Sequence, residues 1–378
     1  MLDPDSHVMF LPRVYTDVLG DQYGGGLRRW AEHWLNGVSD DDIANGRRAA
    51  HHDPLSTKDW MALGADDARE RLDVLDALNI DRQLIFPPAP LPCLHDTCPD
   101  ARRARARWND FMREWASIDP TRLRPVAQLA LHDIEDAIAD ATTLTAHGAA
   151  AVEVPFARPP AGRSPAAPDW DPLWSLLEEA GVPLLVHIGG GGFGGSMRPE
   201  ATFIDPAWGH GDRTRLAAHD PDLDPSEVGV IGAFGALDLT TLHMGAEVFV
   251  SALVLGGVLT RHPRLRVGVI ELGAHWVSSW VERLEWAYAL KRGPFISARN
   301  RPREQVRRQV RVTSAYAEPV GDYITRDGLD SVYMFSTDYP HVEGGTDPFG
   351  MFAKSVEQLD GAVIEQTFTT NAELLLPR

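Results

Sequence analysis

The sequence predicts an α/β fold, a distorted (β/α)₈ TIM barrel, from three observations. Eight short apolar or β-branched runs recur along the 378 residues with amphipathic segments between them, which is typical of parallel strands joined by helices. Single barrel domains reach this length when they carry insertions, so we predict one domain over residues 1–378. Side chains that bind metals also stand at the ends of several runs, where a barrel gathers its chemistry.

The predicted elements alternate in a regular order. Strands are expected at residues 2–7, 82–86, 123–130, 150–154, 184–188, 266–272, 311–314 and 331–336. Amphipathic helices are expected at residues 66–78, 134–145, 171–180, 246–260 and 277–290. Because the βα-loops of a barrel converge on one mouth, residues at the carboxyl ends of the strands are the candidates for function.

Two connections are too long to be simple loops. Residues 8–65 follow the first strand and residues 189–240 follow the fifth, and we predict that both are lid insertions over the mouth. The first lid holds Trp30, Trp34 and Trp60. The glycine-rich run at residues 189–195 lacks the Lys-Ser/Thr of a phosphate-binding loop and is interpreted as a turn.

Composition restricts the class of partner. The formal net charge of -18 disfavours nucleic acid, whose binding requires clustered Lys and Arg. No run approaches the roughly 20 apolar residues of a membrane span. The first residues are acidic, where a signal peptide carries positive charge. We therefore expect a cytoplasmic protein that acts on a small molecule, with no nucleic-acid or membrane partner.

A metal site is predicted from four residues at the ends of three strands. Asp5 and His7 alternate at the end of the first strand, so a period of two places both side chains on the inner face. His187 ends the fifth strand and Asp338 follows the eighth. Oxygen and imidazole ligands of this kind suit one divalent ion, with zinc as the first choice and manganese or iron(II) as alternatives.

Three stretches resemble the amidohydrolase-2 family, which includes aminocarboxymuconate-semialdehyde decarboxylase and the γ-resorcylate decarboxylases. They are DSHVM at residues 5–9, LVH at 185–187 and FSTDYPH at 335–341. The resemblance implies a distorted barrel with one divalent ion, held by an acid-x-His pair, a fifth-strand His and an eighth-strand Asp. It also implies a homodimer or higher homo-oligomer. Asp3 offers another register for the acid, but it ranks below Asp5 because it lies farther from the strand end.

The sixth strand departs from that family. The decarboxylases carry a His-Gly-Gly motif there, whereas this chain has Glu271 followed by Leu272 and Gly273. A carboxylate beside a metal is expected to stay ionised, so Glu271 suits a ligand or a base better than a proton donor to carbon. Alternatively, Glu271 does not bind the metal itself and instead orients a histidine that does. His275 is a candidate acid, with a surface position at the start of a helix as the alternative.

Three functions follow, in order of preference. The first is a metal-dependent hydrolase, in which Glu271 or Asp338 takes a proton from metal-bound water that attacks a carbonyl carbon. The second is a non-oxidative decarboxylase of a hydroxylated aromatic or unsaturated carboxylic acid, and the third is a non-catalytic barrel that binds ligands. His341, His243 and Arg47 are candidate substrate contacts, although no motif fixes their roles.

Overall fold

An eight-stranded parallel sheet forms the centre of the computed structural model, which describes residues 1–156, 158–189, 236–290 and 301–377. Each strand pairs with the next one along the chain. The strands are β1 (Leu2–Asp3), β2 (Arg82–Ile85), β3 (Leu123–Gln128), β4 (Ala151–Glu153), β5 (Leu184–His187), β6 (Val267–Ile270), β7 (Val310–Thr313) and β8 (Tyr333–Met334). All eight predicted strands are present at the expected places, and the (β/α)₈ prediction is confirmed.

The barrel closes through residues that follow the first and last strands. β1 and β8 have only two residues each in the regular sheet. Beyond them, Ser6 forms a parallel bridge to Tyr339. The amide of His7 donates to the Tyr339 carbonyl at 2.7 Å, and the amide of Asp338 donates to the Asp5 carbonyl at 3.0 Å. The segments that carry the predicted ligands therefore join the two edges of the sheet.

Helices alternate with the strands along the chain. Those among the described residues span Pro12–Trp34, Asp40–Ala50, Ala68–Ala77, Pro92–His95, Pro99–Trp115, Ile134–Ala146, Asp171–Ala180, Ala236–Thr241, Met244–Leu255, Val258–Arg261, Val277–Ala289, Pro302–Gln309, Val320–Asp327, Pro348–Val356 and Gly361–Glu365. The single helix predicted at residues 246–260 is two helices, because Gly257 takes a φ of 80° between them. None of these helices has the length and apolarity that crossing a membrane requires.

Two large clusters of apolar side chains and a smaller one between the strands form the interior of the described part of the chain. One joins β4–β8 to the helices that cover them, and it contains Trp170, Trp174 and Trp280. The other joins the first insertion to the helices near β2 and β3, and it contains Trp60 and Trp108. The first insertion is therefore part of the packed body of the protein.

The first insertion borders the mouth of the barrel, as predicted for a lid. The Nε1 atom of Trp60 donates to the Phe10 carbonyl at 2.9 Å, which ties the end of the insertion to its start. The amide of Asp59 donates to the Pro340 carbonyl at 2.9 Å, beside the loop that follows β8. The second predicted lid, at residues 189–240, lies outside the described residues except at its two ends.

Candidate metal centre

Six ionisable side chains meet at the carboxyl end of the barrel. They form two overlapping groups, and the ligand atoms of each group all lie within 4.8 Å of one another. One group is Asp5, His7, His187 and Glu271, and the other is His7, Glu271, Asp338 and His341. The structure thus brings together the four predicted metal ligands, the sixth-strand Glu271 and one predicted substrate contact.

The contacts within the cluster join imidazole nitrogens to carboxylate oxygens. His7 Nε2 lies 3.3 Å from Glu271 Oε2 and 3.4 Å from Asp338 Oδ1. His187 Nε2 lies 3.1 Å from Glu271 Oε2. Both Nε2 atoms lie 3.5 Å from Asp5 Oδ1. Ligand atoms about 3 to 3.5 Å apart match the edges of a coordination shell whose bonds are about 2.1 Å long.

Backbone carbonyls orient the two ligand imidazoles. The Nδ1 atom of His7 donates to the Pro87 carbonyl at 2.6 Å, and that of His187 donates to the Ile188 carbonyl at 2.9 Å. With the proton on Nδ1, the lone pair is on Nε2 and faces the cluster. Phe86 stacks on His187 with ring centroids 4.2 Å apart, which fixes the plane of that ring.

Two of the carboxylates sit on unusual backbone. Glu271 has a φ of 55° and Asp338 a φ of 52°, both in the left-handed region that favours glycine. Each follows a strand end, at the point where the chain turns out of the barrel. Such conformations cost roughly 1–3 kcal/mol and persist where the surroundings enforce them, often at functional sites.

The donor set fits a divalent cation. Among the described residues, four of its atoms are buried without a hydrogen-bond partner: Asp5 Oδ1, His7 Nε2, His187 Nε2 and Glu271 Oε2. An unpaired buried polar atom costs about 1–3 kcal/mol, so four of them around one point could together hold a cation. Carboxylate and imidazole ligands together suit manganese, iron(II) or zinc.

The imidazoles and carboxylates of the cluster shift each other's pKa values. Burial disfavours a charge on Glu271, but His187 and His7 lower the pKa of Glu271 below its ordinary value. Burial also disfavours the charged form of His187, but Asp5 and Glu271 raise the pKa of His187 well above its ordinary value. A metal ion therefore has to displace protons from the imidazoles when it binds.

His341 joins this cluster through two contacts. Its ring stacks on His7 with centroids 3.9 Å apart, and its Nδ1 lies 3.1 Å from Asp338 Oδ1. Burial opposes a positive charge there, but Asp338 and Glu343 raise the pKa of His341 to about 10. The sequence placed His341 among the candidate substrate contacts, and the structure places it beside the metal ligands.

Arg47 and Asp3 lie apart from the cluster. Arg47 pairs with Asp66 at 2.7 Å and borders a separate surface cavity with His51. The structure thus does not bring Arg47 to the cluster, because the carboxylate of Asp66 holds it elsewhere. Asp3 accepts hydrogen bonds from Gln83 at 2.7 Å and from the Thr337 amide at 3.0 Å, so its charge supports the strands beneath the site.

His275 and His243 lie next to each other, also outside the cluster. Their ring centroids are 5.0 Å apart, and the ring of His243 stacks on Trp276 at 5.6 Å. The backbone amide of His275 donates to Glu318 at 2.9 Å, and its Nδ1 lies 3.4 Å from the same carboxylate. The catalytic role for His275 and the substrate contact for His243 stay predictions.

Sequence reasoning missed Glu153 and Lys58, which lie near the cluster. Glu153 ends β4, so the rule that selected the metal ligands from strand ends also applies to it. Lys58 lies in the first insertion, and its Nζ atom is buried with no hydrogen-bond partner in the part of the chain that the structure describes. Burial lowers the pKa of Lys58, while Asp338 opposes that shift. No sequence signal marks Lys58, because its position depends on how the insertion packs.

Two cavities meet at the cluster and share Glu271. The wide cavity holds about 370 Å³ and is bordered by residues after β6, β7 and β8, including Asp5, Asp338, His275, Tyr316 and Phe352. The tryptophan cavity holds about 170 Å³ and is bordered by the first insertion, the segment after β2 and the cluster itself, including Trp30, Trp34, Trp60, His7 and His187. Both offer a small molecule access to the metal ligands.

Comparisons with solved structures show similar barrels. An amidohydrolase from Mycobacterium avium subsp. paratuberculosis K-10 is 21% identical, with a TM-score of 0.62, over 86% of this chain and 76% of that one. A 2,6-dihydroxybenzoate decarboxylase from Rhizobium is 20% identical, with a TM-score of 0.58, over 81% of this chain and 87% of that one. A dihydroxybenzoic acid decarboxylase from Polaromonas sp. JS666, solved with manganese and the inhibitor 2-nitroresorcinol, is 16% identical, with a TM-score of 0.61, over 100% and 97%.

The family comparison covers nearly the whole chain. No curated protein matches this sequence, and at the identities above the solved structures show a shared fold alone. The family model described as amidohydrolase matches residues 5–378, a range that includes every member of the cluster. The chain therefore belongs to the amidohydrolase family, a family of enzymes.

Proposed function

We propose that this protein is a metal-dependent decarboxylase of a hydroxylated aromatic carboxylic acid. The observation that carries the proposal is the imidazole of His341 inside the ligand cluster, 3.1 Å from Asp338. Decarboxylation requires a proton for the carbon that loses CO₂, and a protonated imidazole at this place can deliver it. Two of the structural neighbours are decarboxylases of dihydroxybenzoates, which supports the same reaction.

This proposal differs from the hydrolase favoured by the sequence. The preference for hydrolysis came from Glu271, which stands where the related decarboxylases carry a histidine. In the structure Glu271 Oε2 lies 3.1 Å and 3.3 Å from the Nε2 atoms of the two ligand histidines, which suits a metal ligand. His341, from the loop after β8, supplies the imidazole that the sixth strand lacks.

The residues of the chain can carry out the proton transfer. A divalent ion held by the cluster would supply a Lewis acid for the carboxylate and the adjacent hydroxyl of the substrate. Asp338 holds His341 at Nδ1, which leaves Nε2 to give its proton to the ring carbon. The bond from that carbon to the carboxyl group then breaks, its electron pair restores the aromatic ring, and CO₂ leaves. Solvent returns the proton to His341.

The ion to test first is manganese. Three carboxylates among the ligands favour a metal that accepts oxygen donors, and the Polaromonas enzyme was solved with manganese. Zinc remains the comparison ion because the two imidazoles also suit it.

A second candidate function is metal-dependent hydrolysis, and one observation favours it. Burial opposes ionisation of Glu271, but contacts with His187 and His7 lower its pKa and keep the carboxylate ionised. An ionised carboxylate among the candidate ligands can accept a proton from a water activated there. The two functions differ in product. Hydrolysis yields an acid and an alcohol or amine, whereas decarboxylation yields CO₂ and a phenol.

The experiment loads the purified protein with Mn(II) or Zn(II) and screens two substrate panels. One panel holds phenolic acids, starting with 2,6-dihydroxybenzoate, and the other holds esters, amides and β-diketones. Metal-dependent CO₂ release in D₂O, with one deuteron at the vacated ring carbon, is the expected result. Hydrolysis of the second panel without CO₂ release would support the second candidate. A protein that binds no metal and turns over neither panel would overturn both.

His341→Gln tests the proton donor. We expect kcat for CO₂ release to fall roughly 10²- to 10⁴-fold, the usual contribution of general acid catalysis. The metal content should stay at the level of the unmodified protein, because the substitution leaves all the proposed metal ligands in place. His147→Gln, at an exposed position, is the matched control. Equal kcat values for the two variants would exclude His341 as the acid.

A further inference from the structure

We propose that the tryptophan cavity binds the aromatic ring of the substrate and that Glu153 recognises a hydroxyl group on this ring. The inference rests on the proposed function, because it names the part of the molecule that selects a hydroxylated aromatic acid. Its first support is the flat, apolar side of the cavity, which the tryptophans form. Trp30 and Trp34 stand one turn apart at the end of the helix Pro12–Trp34, and both border the cavity.

Other residues hold this border in place. Trp60 lies with its ring centroid 5.2 Å from that of Trp30, and its Nε1 is fixed by the hydrogen bond to the Phe10 carbonyl. The segment at residues 87–90, which contains three prolines, also borders the cavity. Aromatic rings and prolines are rigid, so they can hold a flat ligand with little loss of side-chain freedom.

The volume matches one aromatic ring. The tryptophan cavity holds about 170 Å³, and a protein cavity of about 150 Å³ is known to take up benzene. The wide cavity, at about 370 Å³, would hold a single ring loosely. Close packing is what makes apolar contacts favourable, so the ring belongs in the smaller cavity.

The inner end of the cavity is the metal cluster itself. His7, His187, Glu271 and His341 border it. A ring that lies between the tryptophans and this end therefore directs its carboxyl group to the metal ligands and its adjacent carbon to His341. Among the described residues no lysine or arginine borders the cavity, whereas Asp59, Glu153 and Glu343 do, so the border disfavours a negative charge on the part of the substrate held there.

Besides Glu271, three carboxyl groups border the cavity, those of Asp59, Glu153 and Glu343. Glu153 is the one of the three that is fully buried, so it fits a ring hydroxyl best. It is buried at the end of β4 and borders the tryptophan cavity. Its Oε2 accepts a hydrogen bond from Gln128 Nε2 at 2.7 Å, and its Oε1 makes none within the described part of the chain. Burial also raises the pKa of Glu153, which suits a hydrogen bond with a neutral hydroxyl. Gln128 thus fixes the carboxyl group and leaves one oxygen for the ligand.

The test measures binding by the manganese-loaded protein with two probes that cannot lose CO₂. The probes are 2-nitroresorcinol, which has two ring hydroxyls, and nitrobenzene, which has none. Calorimetry gives Kd for the unmodified protein, Trp30→Ala, Trp34→Ala and the exposed control Trp286→Ala. Metal content and circular dichroism confirm that each variant is loaded and folded. We expect Trp30→Ala and Trp34→Ala each to weaken 2-nitroresorcinol binding roughly tenfold, and Trp286→Ala to leave it unchanged.

Glu153 is tested by selectivity, which a general loss of structure does not mimic. Glu153→Ala should weaken 2-nitroresorcinol at least fivefold more than nitrobenzene, and Glu153→Gln should restore part of this preference. Tyr316→Ala probes the wide cavity. If Tyr316→Ala weakens 2-nitroresorcinol while the Trp30 and Trp34 variants do not, or if the loaded protein binds neither probe, the inference is wrong. Because these assays measure binding without turnover, they separate its failure from failure of the proposed reaction.

Discussion

Replacing Glu271 by glutamine tests whether this residue is a metal ligand. The amide keeps the shape of the side chain but removes the charge at Oε2, which lies 3.1 Å from His187 Nε2 and 3.3 Å from His7 Nε2. Glu271 Oε2 is buried and has no hydrogen-bond partner within the described ranges. Its charge is therefore available to a bound ion instead of being neutralised by solvent.

The expected loss of affinity follows from the strength of one charged contact. A bond to an ionised group contributes about 1.5–3 kcal/mol, so Glu271→Gln should raise the Kd for Mn(II) roughly 10- to 150-fold. The loss should be larger at pH 8 than at pH 6. Burial of the His187 imidazole lowers its pKa, but Asp5 and Glu271 together raise this pKa above its ordinary value. At low pH, protons on His187 compete with the metal. The substitution weakens the binding of these protons as well as that of the metal, so the net loss of metal affinity is smaller at pH 6 than at pH 8.

Competition with a chromophoric chelator measures the metal Kd at both pH values. Glu282→Gln, on the exposed face of the helix Val277–Ala289, is the matched control and should bind Mn(II) like the unmodified protein. Circular dichroism checks that both variants are folded. If Glu271→Gln binds Mn(II) as tightly as the control at pH 6 and pH 8, Glu271 is not a ligand and instead orients a histidine.

Three further predictions concern protons, packing and stability. The metal affinity of the unmodified protein should fall as the pH falls below the raised pKa values of His7 and His187. The fall should be roughly tenfold per pH unit for each proton that the metal displaces. Calorimetry in buffers of different ionisation enthalpy counts those protons. Gly344→Ala should displace Asp338 and weaken metal binding, because a Cβ at residue 344 would meet the Thr337 carbonyl oxygen at 2.1 Å. Arg71→Met should lower the free energy of unfolding by about 3 kcal/mol, measured in urea, since its buried guanidinium serves three acceptors.

Each substitution has a control in the same protein. A Cβ at Gly361 would meet no atom within 4 Å, so Gly361→Ala should leave metal binding unchanged. Arg69 is exposed on the helix that carries Arg71, and Arg69→Met should change stability by less than about 0.5 kcal/mol. Equal metal affinity for the two alanine variants, or equal stability of the two methionine variants, would contradict the packing described above.

The strands were predictable because parallel barrel strands are buried on both faces. β5 and β6 are buried at every position, and their sequences are accordingly almost continuous apolar runs. Strand ends were less predictable. Residues 2–7 pair regularly only over Leu2–Asp3, because Pro4 has no amide hydrogen to donate and the chain then turns toward Tyr339.

The candidate metal ligands at strand ends were also predictable, because the carboxyl ends of barrel strands converge on one mouth. Asp5, His7 and His187 meet for that reason. Residues in the first insertion follow no such rule. Arg47 is held by Asp66 and Lys58 lies near Asp338, and both placements depend on tertiary packing that residue spacing does not encode. Even Glu153, at a strand end, carried no motif that distinguished it from an ordinary buried carboxylate.

The strained backbone at two ligands connects the metal site to the closure of the barrel. Glu271 and Asp338 have φ values of 55° and 52°, which local preference disfavours. The Glu271 amide is held by Thr313 Oγ1 at 2.8 Å, and the Asp338 amide by the Asp5 carbonyl at 3.0 Å. The second of these bonds also joins the first strand to the last. One bond thus both orients a ligand and closes the sheet. An ion at 100 times its Kd that binds only the folded chain would add about 2.7 kcal/mol to the stability of the closed barrel, which is comparable to the roughly 1–3 kcal/mol of strain at one of the two turns.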